Sequence, residues 1–167
     1  MRRLTLAHFA IVFAWAAAVH ADGDGEVIAA RVQTLTADTV WKAVREIPLA
    51  FDAFHPQGMA IVNGDIFVSA VEVIDRARGE GKGYVFKLDP RGNSVAQVEL
   101  TDGARYHPGG MDFDGARLWV PVAEYRPDSS SVVYTLDPET LTLREALRFP
   151  DHLGAAVHDA TTGLLAA

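Results

Sequence analysis

Three histidines and two glutamates recur at matched places in this chain. His55 and His107 each open a His-Pro-x-Gly-Met stretch, and His152 stands before Leu153-Gly154. Glu72 and Glu124 each close the apolar run that follows the first two stretches. Imidazole and carboxylate together can ligate a divalent metal or share a proton as acid and base. Tyr125, Arg126 and Asp128 follow Glu124 directly and would extend the same polar group. The candidate ligand-binding set is therefore His55, His107, His152, Glu72, Glu124, Tyr125 and Arg126, with the three histidines as candidate metal ligands. His-Pro-x-Gly equally fits a turn in which the imidazole bonds the backbone and the proline fixes φ. The glutamates equally fit ion pairs with arginines such as Arg126. Asp128-Ser129-Ser130-Ser131 reads as a loop, because no Gly-x-Ser-x-Gly elbow surrounds it.

The spacing of these residues implies equivalent structural units. A shift of 52 positions lays His55 on His107, Gly58 on Gly110, Met59 on Met111, Phe67 on Trp119 and Glu72 on Glu124. A weaker third copy starts at Asp151. A second motif also recurs, Val85-Phe86-Lys87-Leu88-Asp89-Pro90 against Val133-Tyr134-Thr135-Leu136-Asp137-Pro138. Repeats of about 40 to 50 residues, each with about four short strands, point to a β-propeller.

Within each unit the local chemistry is that of hairpins. Asn63-Gly64 and Asp114-Gly115 are turn dipeptides that favour tight connections. Residues 118–123 are mostly apolar, as a strand buried on both faces should be. Pro121 cannot donate to a ladder, so a bulge or an unpaired position is required there. The first unit is expected over 54–100, with strands at 58–62, 65–73, 83–88 and 94–100. The second is expected over 106–149, with strands at 109–113, 117–123, 131–136 and 141–149. The third occupies 151–167. Residues 41–49 read as an outer strand, and 38–45 alternatively as a helical turn. The fold class is all-β: a propeller fragment of about three four-stranded antiparallel blades over 38–167. Propellers close with about four to eight blades, so the expected parent has six or seven. Strands alternate in direction in such a blade, which would bring the histidines and glutamates to one rim near the axis.

The N-terminus reads as a secretory signal peptide over 1–21. Arg2 and Arg3 precede an apolar stretch, and Val19-His20-Ala21 offers small residues at the positions that a signal peptidase reads. The apolar run is shorter than the roughly 20 residues needed to span a bilayer, so no stable membrane anchor is expected after cleavage. Residues 22–37 read as linker, with a strand possible at 27–32. There is no cysteine, which excludes disulfides, thiolate metal sites and a lipid-modified cysteine. Removing Arg2 and Arg3 from the 15 basic residues deepens the formal charge from −7 to about −9. No basic run interleaved with aromatics is present, which argues against nucleic acid as a partner. The expected location is secreted or periplasmic.

His55-Pro56-Gln57-Gly58-Met59, His107-Pro108-Gly109-Gly110-Met111-Asp112 and the run from Trp119 to Pro127 resemble the signatures of an uncharacterised family of exported bacterial propellers. The resemblance implies a propeller fold and export, and carries no activity or catalytic residue. The apolar-Pro-x-Gly-aliphatic opening is more distantly similar to repeats in the six-bladed gluconolactonase and strictosidine-synthase groups. The acid and amide metal ligands of those groups have no counterparts at matching positions here. Two functions are therefore expected: binding of a small molecule or protein partner through one polar face, or a metal-dependent hydrolase of lactonase or esterase type. The second would use His55, His107 and His152 with Glu72 or Glu124 around a divalent metal.

Overall fold

Strand formation in this chain follows from apolar alternation interrupted by turn residues, and the computed structural model describes residues 22–159 and 162–167. The expected signal segment, 1–21, lies outside the described residues. The chain divides into two units, Met1–Val44 and Arg45–Ala167.

In the first unit, α1 (Asp22–Val32) occupies the stretch read as linker with a possible strand. Arg31 sits in the last turn of the helix, where its charge complements the dipole. Its residues from Glu26 onward are exposed, including Val27, Ile28 and Val32. No helix among the described residues is long and apolar enough to cross a membrane. The strand expected over 41–49 does not form; turns and irregular backbone take its place.

The second unit is all-β. Strands β1 (His55–Val62), β2 (Asp65–Asp75), β3 (Glu80–Leu88) and β4 (Ser94–Glu99) form one antiparallel sheet in that order. A second sheet contains β5 (Arg105–Pro108), β6 (Asp112–Phe113), β7 (Leu118–Glu124), β8 (Ser131–Leu136) and β9 (Leu143–Phe149). Both β5 and β6 pair with β7, followed by β8 and β9. A third, two-stranded sheet joins β10 (Val157–Asp159) to β11 (Leu164–Ala166).

The turns explain the registers. Asn63 and Gly64 both have positive φ, 53° and 91°, as a two-residue hairpin between Val62 and Asp65 requires. The Asp114-Gly115 connection is longer than a tight turn, because Phe113 pairs with Leu118. Asp114 organises it: Oδ1 accepts from the amides of Ala116 and Arg117, and Oδ2 from the indole of Trp119. Asp89 and Asp137 each accept two backbone amides in the turns that follow β3 and β8.

The first strands are irregular, β1 at one place and the second sheet at two, the earlier of which leaves Tyr106 extra between Arg105 and His107. Pro56 pairs with Ala70 and Gly58 with Ser69, which leaves Gln57 extra. In the second sheet Pro108 pairs with Val122 and Asp112 with Trp119, so three residues face two and the strand breaks into β5 and β6. This bulge is the irregularity that Pro121 demanded. The Pro121 carbonyl accepts from Gly109, so its ring nitrogen faces the same bulged edge, where no regular ladder asks for a donor.

The two larger sheets pack face to face. Val62, Phe67, Val85 and Leu100 of the first meet Met111, Leu118, Val120, Val122, Val132 and Leu136 of the second. The opposite face of the first sheet buries Val68, Ala70, Tyr84, Phe86 and Leu88, with Phe51 packed against them. Apolar alternation on both faces is what made these strands continuous hydrophobic runs. Fully burying one such side chain contributes about 1.5–3 kcal/mol.

The first strands meet closely. A Cβ on Gly58 would lie 2.7 Å from Gly110 Cα, and one on Gly109 would collide with the Gly154 carbonyl. Ser69 Oγ donates to the Gly109 carbonyl at 2.7 Å across the sheets. Gly110 donates to Gly154 O and accepts from Ala156 N, a parallel bridge to the third segment. Gly109→Ala is expected to destabilise the protein by about 1–3 kcal/mol through overpacking against fixed backbone. Urea unfolding measures this, and an unchanged midpoint would contradict the close approach.

Candidate functional site

The site sits at the end of the two larger sheets where β1 and β5 begin and β2 and β7 end. His55 pairs with Val71, beside Glu72; His107 pairs with Ala123, beside Glu124. Antiparallel pairing therefore places one histidine and one glutamate at the same end of each sheet. His152 arrives from the segment between β9 and β10. Its Nδ1 lies 3.0 Å from Ser129 Oγ.

His107 is the centre of the group. Its ring meets Tyr125 edge-on at 4.6 Å between centroids, and His152 lies 6.3 Å away. Burial, then the neighbouring charges of His152 and His55, hold its pKa below the usual 6.5. His55 is exposed, and the Gln57 amide donates to its Nδ1 at 2.9 Å. Among the described residues no group of three or more His, Asp or Glu side chains is arranged to hold a metal ion. The three imidazoles approach one another without converging on a common point.

The two glutamates have different surroundings. Glu72 is half-buried and accepts from the Tyr84 hydroxyl at 3.2 Å. Glu124 is buried at 8% exposure and bonds Arg126, the Ser130 hydroxyl and the Ser130 amide. The Arg126 bond first, then the Ser130 hydroxyl, lower its pKa from 4.5 to about 2. Glu124 is thus a fixed anion that shapes the 125–130 loop.

Beyond these, the structure adds Arg76 and Tyr106. The Arg76 guanidinium lies 4.8 Å over the Tyr125 ring, and Tyr106 stacks on Tyr125 at 6.4 Å between centroids and 16°. Tyr106 is 2% exposed, and its ring fills the space that a Cβ on Gly81 would need. A cavity of about 340 Å³ opens here, lined by Arg76, Arg78, Tyr106, Glu124, Tyr125 and Arg126 among others. A second, of about 490 Å³, lies beside it around Phe54, His55, Glu72 and Arg76. His107, His152, Tyr125 and Arg126 line a third of about 280 Å³. Arg76 was hidden in the sequence because the charged stretch 74–82 reads as a connection. Tyr106 was hidden because it is the extra residue of an irregularity between Arg105 and His107, where strand alternation gives no guide.

A family model described as a family of unknown function, DUF6454, matches residues 16–166. The chain belongs to this family. The description of DUF6454 assigns no activity, so membership transfers no chemistry. No curated protein and no solved structure matches the chain significantly. The DUF6454 match includes every residue of the site.

Two outcomes test the electrostatics of this DUF6454 site. The His107 ring should titrate with a midpoint below 6.5, read from its Cε1 proton resonance; a midpoint above 6.5 would contradict its burial beside two imidazoles. Glu124 has a folded pKa below its unfolded one, so its stabilisation is present above about 4.5 and lost as the pH falls towards about 2. Glu124→Gln should therefore flatten the acid limb of stability, measured by urea unfolding across that range. An unchanged acid limb would show that the Arg126 and Ser130 bonds are not formed in solution.

Proposed function

We propose that this protein is an exported β-propeller that binds a ligand through the polar rim formed by His55, His107, His152, Glu72, Glu124, Tyr125 and Arg126. Successive blades are supported by two sheets of four or five consecutive antiparallel strands, each bulged just after a His-Pro pair. Equivalent residues 52 positions apart then occupy equivalent places in neighbouring sheets. Export is supported by the basic-apolar-small order of the first 21 residues.

The observation that carries the binding reading is the convergence on Tyr125. His107 meets its edge, Arg76 covers its face, Tyr106 stacks beside it, and it borders two cavities. An aromatic platform ringed by cations and imidazoles, open to solvent, suits recognition. Catalysis finds less support. A general base needs an orienting partner, and among the described residues no carboxylate bonds the ring of His107 or His152. Ser129 is close to His152 but has no further group behind it.

Screening a metabolite library by thermal shift against the full chain tests the proposal. Compounds that raise the wild-type midpoint should lose affinity by about tenfold in Tyr125→Ala, as expected when an aromatic contact surface is removed. If every such compound binds Tyr125→Ala and His107→Gln as it binds wild type, the rim is not the binding site.

A further inference from the structure

We propose that the cavity walled by Arg76, Tyr106, Tyr125 and Arg126 takes a small organic carboxylate, with the Arg76 guanidinium and the Tyr106 hydroxyl as its donors. The proposal rests on the rim-binding reading and names the chemical class of ligand for one part of that rim.

The charge of the cavity is the first observation. Three arginines, Arg76, Arg78 and Arg126, line it against one carboxylate, Glu124. Arg126 is committed to Glu124, and Arg78 is committed to Asp75 and Glu80. Arg76 forms no ion pair among the described residues; its contact is the face of Tyr125. A guanidinium held over an aromatic ring without an ion pair has N–H groups to offer, and its fork matches a carboxylate with two parallel bonds.

Tyr106 is the second, independent observation. Its side chain lines the same cavity, and its hydroxyl is shielded from solvent with no hydrogen-bond partner among the described residues. A buried hydroxyl without an acceptor is a standing cost that native structures seldom keep without a reason. Arg76 and Tyr106 line the same cavity. A ligand oxygen seated between the two would satisfy both groups. Glu124 does not oppose this, because its charge is already held by Arg126 and Ser130.

The cavity also limits the body of the ligand. Its volume of about 340 Å³ is at the small end of ligand sites. The paired Tyr106 and Tyr125 rings give it an apolar wall. A carboxylate attached to a compact apolar or planar body fits both features. Benzoate is a suitable probe, with benzamide as its neutral counterpart and inorganic phosphate as an anion of different shape.

Calorimetric titration of the full chain at low ionic strength provides the test. Benzoate should bind saturably, and benzamide at least about tenfold more weakly, since the charged bond to arginine is lost. Arg76→Gln should weaken benzoate about tenfold or more. Tyr106→Phe should weaken it severalfold without lowering the thermal midpoint, because the removed hydroxyl has no partner in the free protein. Non-saturable benzoate binding, equal binding of benzamide, or wild-type affinity in both variants overturns the proposal. Saturation by phosphate and not by benzoate overturns the assignment to a carboxylate. A neutral compound whose binding depends on Tyr125 but not on Arg76, in the absence of any benzoate binding, would sink this inference and leave the rim reading in place.

Discussion

The arrangement depends on one close contact between backbones. The first strands of neighbouring sheets approach so tightly that Gly58 lies against Gly110 and Gly109 against Gly154. No side chain fits between them, and Ser69 Oγ ties the junction by donating to the Gly109 carbonyl. The histidines stand two or three residues before these glycines, and His107 and His152 lie 6.3 Å apart between ring centroids. The contacts of Tyr125 with His107 and Tyr106 are set within the second sheet, where His107 pairs with Ala123.

Bulges complete that geometry. An extra residue at Gln57 and another between Pro108 and Asp112 bend each first strand just beyond its histidine. A bulge increases local twist and re-aims the side chains that precede it. Pro121 makes the second bulge tolerable on the facing strand, since the missing donor falls where the ladder is already broken. The proline that looked like an objection to a buried strand is therefore part of how β7 meets its neighbour.

Much of the strand pattern was legible because it is local. Asn63-Gly64 needs positive φ at both positions, and the apolar runs on either side of it pair in the register that this turn dictates. The matching ends of the strands placed each histidine near a glutamate by antiparallel geometry alone. What was not legible lacked a local cause. Residues Asp22–Val32 contain two glycines and no amphipathic stripe, yet they form a helix. Residues 45–49 carry strand-like composition but are used to cover a turn, where Ile47, Pro48 and Leu49 crowd Gly92 and Arg45 bonds Pro90 O. Arg76 and Tyr106 are 30 positions apart, and nothing in their neighbours announces that both will contact Tyr125.

The electrostatic division of labour on the rim follows from burial. Glu124 and Arg126 share a short bond, and Ser130 adds two more contacts to the carboxylate, so this pair is a structural clamp for the loop that carries Tyr125. A clamp of that kind has its charges already matched and offers little to a ligand. Arg76 has the opposite condition: a full charge, an exposed position, and no ion pair among the described residues, with its guanidinium over the Tyr125 ring. His107 is held towards its neutral form by burial and by the imidazoles around it, so it contributes a polar edge more than a charge. Fixed anion, free cation and neutral imidazole, gathered around one tyrosine, form a surface whose unmatched charge is positive. That imbalance exists within a chain whose formal charge is −7. A local cationic cavity in an acidic protein focuses small anions there and leaves the rest of the surface repellent to them.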